Sequence, residues 1–277
     1  MLVISSSLVL VPGSPTLDPA LPLIGWQNQV TTGNLVADTA NVDFPASNVA
    51  NQSTVQRWVA GDQTEQFITV TIGTTDPIDY LAVARHNFGS ASIAVAVEGY
   101  TQVGISPPGP IWETLVGPRM LGDDSPLMFR FPAQSLAGIR LHLYPGAVPA
   151  TAAVLYVGKL LVMEIGMQLN YTPLKDGRVA NAVTGVSANG NLLGRIVINQ
   201  YAQSTAIFSY LDGDWFIENM RDFISALPEQ FFFFVWDPED HPDEVGYAAA
   251  ETPLPTGTIH QLNGMRTLQL VMSGIVK

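Results

Sequence analysis

The stretch of sequence that decides the fold class is residues 66–84, which read QFITVTIGTTDPIDYLAVA. In residues 66–73 apolar residues alternate with polar ones, which places Ile68, Val70 and Ile72 on one face of a half-buried strand. Residues 78–84 are almost continuously apolar, as is typical of a central strand that is covered on both faces. The stretch therefore predicts two strands, one exposed on a single side and one enclosed.

The same strand signal recurs along the N-terminal half of the chain, in residues 92–98, 128–131, 138–144 and 154–163. The 24 glycines and 20 prolines divide the sequence into short segments rich in Val, Ile, Thr and aromatic residues, a pattern typical of short antiparallel strands. Roughly eight strands are expected, which is the size of a jelly roll. We therefore predict an all-β chain with an N-terminal jelly-roll β-sandwich.

The C-terminal half contains the one credible helix signal, over residues 214–227. Phe216, Met220, Phe223 and Leu227 recur at helical spacing, and Asp214 is placed to cap the start. One apolar face of this helix is expected to pack on a sheet.

The predicted helix is followed by an aromatic strand over residues 230–236, and residues 265–274 alternate again as a closing strand. These elements predict a C-terminal β-sandwich with one flanking α-helix. A polar, glycine-rich stretch begins near Gly166, so we predict two domains, 1–165 and 166–277.

The composition excludes several classes of function. Twelve Lys and Arg against 24 Asp and Glu give a net charge of −12, which repels a phosphate backbone, so no nucleic-acid partner is expected. No apolar run is long enough to predict a membrane span. The charged fraction is only 13%, which favours a subunit that buries area against copies of itself or against neighbours.

Three segments of the N-terminal half carry a resemblance to a known family. Residues 44–49, 53–58 and 67–73 provide an Asn-containing loop, a short polar spacer, a Trp and a strand that ends in Gly, and this pattern resembles galactose-binding-like (discoidin-type) modules. Residues 78–89 resemble tail-associated virion proteins of bacteriophages that carry such a module. The resemblance covers about half of the chain, and the C-terminal half is similar to tail-tube-like β-sandwich domains.

The resemblance implies a structural component of a phage tail tip or baseplate, located in the virion tail after assembly in the host cytoplasm. Such a subunit would form a symmetric homo-oligomeric ring with other tail proteins as partners, and it could contact a host surface glycan. Two alternatives stay open: a carbohydrate-binding, lectin-like module and a polysaccharide hydrolase.

Three residues are candidates for glycan binding. His86 and Asn87 follow a central strand where the chain turns into a loop, and Trp58 could offer an aromatic face to a sugar ring. The alternative is that the first two hold the turn together and that the Trp is a core residue. Phe231, Phe233 and Trp236 of the aromatic strand are candidates for an assembly interface, or for a fully buried strand.

No catalytic signature is found in the sequence: it lacks a nucleophile elbow, a phosphate loop, a dinucleotide fingerprint and a zinc-binding His pair. We therefore expect a protein that is not an enzyme, with no catalytic residue and no cofactor. Residues 237–244 form the densest set of oxygen donors and could hold Ca²⁺, but Pro238 and Pro242 favour a rigid solvated turn instead.

Overall fold

The computed structural model describes residues 1–101, 103–105, 108–168, 171–259 and 264–275. Within these ranges regular structure is almost entirely β, with one α-helix and one short 3-10 helix. The all-β prediction is confirmed. None of the described helices is long and apolar enough to cross a membrane.

Twenty-one strands and the helix α1 make up the regular structure of the described ranges, and a 3-10 turn occupies Ala46–Ala50. In chain order the elements are β1 (Leu2–Ile4), β2 (Leu23–Gly25), β3 (Leu35–Ala37), β4 (Trp58–Val59), β5 (Gln66–Thr71), β6 (Ile78–Ala84), β7 (Val95–Tyr100), β8 (Val103–Ile105), β9 (Pro108–Pro110), β10 (Glu113–Arg119), β11 (Leu127–Gln134), β12 (Gly138–Leu143), β13 (Thr151–Ala152), β14 (Val154–Gly158), β15 (Leu161–Val162), β16 (Arg178–Val186), β17 (Leu192–Leu211), α1 (Gly213–Ala226), β18 (Phe232–Val235), β19 (Val245–Ala250), β20 (Thr258–Ile259) and β21 (Arg266–Gly274).

The N-terminal half forms a β-sandwich of two sheets. The outer sheet has the strand order β10-β7-β12-β5-β3, and the middle sheet has the order β1-β11-β6-β14. Ile68 and Val70 of β5 face Leu81 and Val83 of β6 in one apolar core between these sheets. The half-buried strand predicted from the alternation of residues 66–73 is confirmed, because β5 buries one face and leaves the other partly exposed.

The middle sheet is covered on both faces, as the continuous apolar run of β6 predicts. Leu81 points into the sandwich, whereas Tyr80 and Ala82 point to the opposite side and join a second core. That second core is closed by Phe233 and Val235 of the C-terminal half. A third sheet therefore lies against the middle sheet.

The C-terminal sheet is this third layer, and its strand order is β15-β2-β18-β19-β21-β17-β16, with β20 at the side of β21. Its β2 and β15 come from the N-terminal side of Gly166, and β2 pairs directly with β18. The division into domains 1–165 and 166–277 stays a prediction, and the hydrogen-bonded sheet crosses it.

Helix α1 forms the fourth layer and covers the other face of β18. Phe216, Met220 and Phe223 are buried against Phe232 and Phe234. The helix signal in the sequence is confirmed with a shift of one residue, but the cap is different. The carboxylate of Asp212, not of Asp214, accepts the free backbone amides of the first turn.

Strand β18 is consequently enclosed within one chain. Its four residues are at most 1% exposed, because their side chains alternate between the core under α1 and the core against the middle sheet. The prediction that Phe233 belongs to an interface between subunits is wrong, since its ring packs on Tyr156 and Tyr247 of the same chain. The alternative interpretation, a fully buried strand, describes β18.

Candidate functional site

A cleft of about 680 Å³ lies where the loops at one end of the sandwich meet the C-terminal sheet. The sandwich contributes residues 54–57, 85–87 and 123–126, and the C-terminal half contributes residues 171–178 and 243–247. Two predicted glycan-binding residues, His86 and Asn87, belong to its lining. The cleft is therefore the first place to look for a ligand.

His86 is almost fully buried in the cleft wall and holds the loop beneath it. Its Nδ1 accepts a hydrogen bond from the backbone amide of Phe88 at 3.2 Å, so the ring proton is on Nε2, which donates to the carbonyl of Ser125 at 2.9 Å. Burial lowers the pKa of His86 to about 4. The ring is thus a neutral structural group at neutral pH.

Asn87 and Trp58 also have structural partners. The amide of Asn87 donates to the carbonyl of Pro149 at 2.9 Å and accepts from the backbone of Thr151 at 2.8 Å. Trp58 is fully buried, and its indole donates to the carbonyl of Thr39. The prediction that Trp58 offers a face to a sugar is therefore corrected: no part of its ring is open to a ligand.

The side chains that remain free in the cleft are guanidinium groups. In the described part of the chain, the side chains of Arg85 and Arg178 have no hydrogen-bond or ion-pair partner, and Arg57 rests only on the Phe44 ring. Arg85 has a φ of 57°, the left-handed region that a residue with a side chain rarely adopts. Such local strain is common at binding sites.

The carboxylates of the cleft are already engaged. Asp123 accepts the backbone amide of Ser125 and Asp124 accepts that of Ser90 in the neighbouring loop. Asp243 pairs with Lys175 at 2.8 Å, and Glu244 accepts the indole N–H of Trp236 at 2.6 Å. Within the described lining, the charged groups that lack a hydrogen-bond or ion-pair partner are therefore hydrogen-bond donors. They occur in a chain where acidic residues outnumber basic ones two to one.

Two tyrosines add neutral surface to the cleft. Desolvation by burial raises the pKa of both Tyr171 and Tyr247 above the ordinary range, so neither hydroxyl ionises at neutral pH. Tyr247 donates to the carbonyl of Gln52 at 2.9 Å and thereby ties the C-terminal sheet to the loop before β4. This contact fixes the two walls of the cleft relative to each other.

The acidic loop 237–244 borders the cleft and is the predicted turn. Its backbone is closed by hydrogen bonds from His241 to Asp237 and from Glu244 to His241. Over the ranges that the structure covers, no group of three His, Asp or Glu side chains is arranged to hold a metal ion. The prediction of bound Ca²⁺ therefore has no support in this geometry.

A second polar cluster lies on the outer face of the outer sheet. Glu98 accepts from Arg140 at 2.6 Å and from His142 at 2.9 Å, and the guanidinium of Arg140 lies between the rings of Phe67 and Trp112. Desolvation raises the pKa of Glu98, but the hydrogen bonds from His142 and Arg140 outweigh it and lower the pKa. These groups satisfy one another and leave little free for a ligand.

The other predicted assembly residues also contact their own chain. Phe231 is 39% exposed and packs its ring edge on Tyr247, and the ring of Trp236 lies between Tyr171 and His241. Neither residue forms a continuous apolar surface with Phe233, which is buried.

Comparison with known proteins places the likeness in one half of the chain. No family model matches, and no curated protein matches. Among solved structures, chitosan-binding module 1 of a chitosanase/glucanase from Paenibacillus sp. IK-5 is 18% identical, with 47% of this chain and 98% of the module aligned and a TM-score of 0.41. Module 2 of the same enzyme, in complex with chitotriose, is 15% identical over 47% and 99%, with a TM-score of 0.41.

A third similar structure is the family 32 carbohydrate-binding module of Clostridium perfringens NanJ in complex with galactose. It is 14% identical, with 48% of this chain and 98% of the module aligned and a TM-score of 0.38. These three similar structures are carbohydrate-binding modules. The resemblance to phage tail proteins stays a prediction.

Sequence reasoning identified two wall residues of the cleft but missed its free side chains. Arg57, Arg85 and Arg178 are far apart in the sequence and stand in no motif. The one available signal was Arg85, which directly precedes His86 at the end of the continuous apolar strand. The sequence did not show that residues 171–178 would form the opposite wall.

Proposed function

We propose that this chain is a glycan-binding protein and that its cleft holds a saccharide that carries carboxylate groups. The observation that carries the proposal is the state of the lining, in which the guanidinium groups of Arg85 and Arg178 are free while the carboxylates accept hydrogen bonds from the protein. A matching ligand must supply acceptors. A guanidinium group binds a carboxylate through two parallel hydrogen bonds, which gives both strength and orientation.

The size and shape of the cleft support the same class of ligand. A volume of about 680 Å³ suits a short oligosaccharide, since small-molecule sites occupy roughly 300–1,000 Å³. The half-buried ring of Tyr171 supplies apolar surface for the face of a sugar ring. Binding without turnover is part of the proposal, because the candidate groups bind and orient rather than transfer protons.

The test is calorimetric titration with oligogalacturonate, a saccharide of uronic acids, and with a neutral galactan fragment of the same length. We expect the acidic saccharide to bind and the neutral one to bind more weakly. Arg85→Gln and Arg178→Gln should each weaken binding by roughly tenfold or more, as charge-assisted hydrogen bonds predict. Arg119→Gln is the matched control, because Arg119 is exposed on β10 outside the cleft.

Equal binding of the two saccharides, or equal effects of the three Arg variants, would contradict the proposal. The lectin-like alternative of the sequence is the broader class to which this proposal belongs. A structural role in a phage tail tip and the hydrolase alternative stay predictions, tested respectively by purification of virions and by release of reducing ends from polysaccharide.

A further inference from the structure

The hairpin formed by β16 and the first half of β17 extends away from the layered body. We call residues 178–201 the arm. Within the described residues, β17 pairs with β21 from Ala202 to Leu211, but from Leu192 to Tyr201 it pairs only with β16. A strand of nine residues such as β16 is roughly 30 Å long. In the part of the chain that the structure describes, the arm is therefore a long two-stranded ribbon with no third strand and no covering layer.

The side chains of the arm are apolar and open to solvent. Leu192 is 78% exposed, Ile196 72% and Ile198 70%. Ile196 lies directly across the ribbon from Val183, which is 59% exposed. Further exposed large apolar residues of the same ribbon are Val186, Leu193 and Val197. Because successive residues of a strand point to opposite faces, Ile196 and Val183 lie on one face of the ribbon, whereas Val186, Leu192 and Val197 lie on the other, which also carries Arg195.

Such a surface is costly when it stays in water. An isolated two-stranded hairpin is marginally stable at best, its strands offer unpaired backbone groups along their edges, and contiguous exposed apolar patches mark interaction sites. The hairpin turn is nevertheless well formed, with backbone hydrogen bonds between Ser187 and Asn191 and a left-handed Gly190. The arm is thus a well-formed hairpin whose apolar side chains are not covered by the described residues of its own chain.

The charge of the arm differs from that of the body. No Asp or Glu occurs between Asp176 and Asp212, whereas the arm carries Arg178 and Arg195. The remaining residues carry all 24 acidic groups against ten basic ones, a net charge of −14 against +2 for the arm. The arm is therefore complementary in charge to the body of its own chain type.

We propose that the arm binds a second copy of this chain, with its apolar surface seated on the outer face of α1. That face presents Asp214, Glu218 and Asp222, which lie one turn apart and are exposed, beside the partly exposed Ile217 and the exposed Arg221, so its net charge is negative. Arg195 meets this acidic row while Leu192 and Val197, which share its face of the ribbon, contact Ile217. A contact between two different surfaces of the same protein is heterologous, so repetition gives a ring or a filament.

The experiment is light scattering of the purified full-length chain over a concentration series. The wild type should have a mass that is a multiple of 29.8 kDa and should dissociate on dilution. Leu192→Asp, on the same face of the ribbon as Arg195, should shift the midpoint of association at least tenfold toward higher concentration. Val42→Asp is the matched control, because Val42 is 91% exposed on the body and outside the arm, and it should associate as the wild type does.

A charge exchange tests the seat on α1. Arg195→Glu and Glu218→Arg should each weaken association, and the double variant should restore it, since the pair is re-formed with reversed signs. Circular dichroism and thermal unfolding should show that all five variants are folded. Saccharide binding, measured on the same samples, reports the cleft separately.

A wild type that stays at 29.8 kDa at every concentration overturns the proposal and assigns the arm to a different partner. Association that is unchanged in Leu192→Asp overturns it as well. If Leu192→Asp dissociates the complex and the charge exchange has no effect, the seat on α1 is overturned.

Discussion

Strand β18 and the arm are both rich in large apolar side chains, but β18 is buried and the arm is exposed to solvent. The residues of β18 are at most 1% exposed, whereas Leu192 and Ile196 of the arm are more than 70% exposed. The difference comes from the layers on each side: β18 lies between α1 and the middle sheet, and the arm extends past the end of β21. Apolar composition predicts contact, but only topology says whether the contact lies within one chain.

The largest expected effect on the free energy of unfolding comes from a change in the buried strand β18. Phe233→Ala should lower the free energy of unfolding by about 3–5 kcal/mol, because it opens a cavity between the C-terminal sheet and the middle sheet. Urea unfolding followed by circular dichroism measures it. A loss below about 1 kcal/mol would mean that the layers on each side of β18 are not closed.

The second expected effect is a pH dependence of the free energy of unfolding, which comes from His86 in the body and not from the arm. His86 has a folded pKa of about 4, below its ordinary value of about 6.5. Between these values the unfolded state binds a proton that the folded state rejects. Stability from this group is therefore complete above pH 6.5 and is lost as the pH falls toward 4, by up to about 1.4 kcal/mol per pH unit. The arm has no His, Asp or Glu, so it does not contribute to the change of stability over this pH range.

The measurement is urea unfolding at pH 7 and pH 5 for the wild type and for His86→Gln. Asp79 changes stability in the opposite direction, because burial raises its pKa to about 6 and the folded state takes up that proton first. Asp79 is present in both proteins, so the difference between their pH slopes reports His86. Equal slopes would contradict the buried neutral imidazole.

A third effect concerns the helix that covers β18. Asp212→Ala should lower the free energy of unfolding by about 1 kcal/mol, because it removes the carboxylate that accepts the amides of Asp214 and Trp215. Thermal unfolding compares it with Asp222→Ala, which changes an exposed residue of the same helix. Equal shifts in the two variants would assign the effect to charge rather than to capping.

The smallest expected effect on the free energy of unfolding comes from a change in the exposed arm. Ile196→Ala, measured at a concentration where the chain is monomeric, should change the free energy of unfolding by no more than about 0.5 kcal/mol. A loss comparable with that of Phe233→Ala would show that the arm folds back on its own chain, and the contrast between the two regions would disappear.

The sequence predicted those features of the fold that depend on local periodicity. The alternation of residues 66–73 and the continuous run of 78–84 correctly distinguished a strand covered on one face from a strand covered on both. The spacing of Phe216, Met220 and Phe223 located α1 to within a residue. Each of these signals lies within one element, where burial alone sets the pattern.

The remaining features depend on pairings between distant segments. The sequence favoured Phe233 for an interface because no local signal shows that β2 pairs with β18 or that the middle sheet lies beneath it. Trp58 has the composition of a sugar platform, but its ring is buried. The cleft joins Arg85 to Arg178 through the contact of two halves, which no motif encodes.

The pairing of β2 with β18 also determines when the middle sheet can be covered during synthesis. β2 (Leu23–Gly25) leaves the ribosome long before Phe232–Val235 is made, and until then the outer face of the middle sheet, with Tyr80, Met128 and Tyr156, lacks its cover. Nascent chains with such uncovered surface are prone to aggregate and are chaperone substrates. A fragment of residues 1–165 should accordingly bind a hydrophobic dye that the full chain excludes, and the nascent protein should depend on a holdase until its last third has emerged.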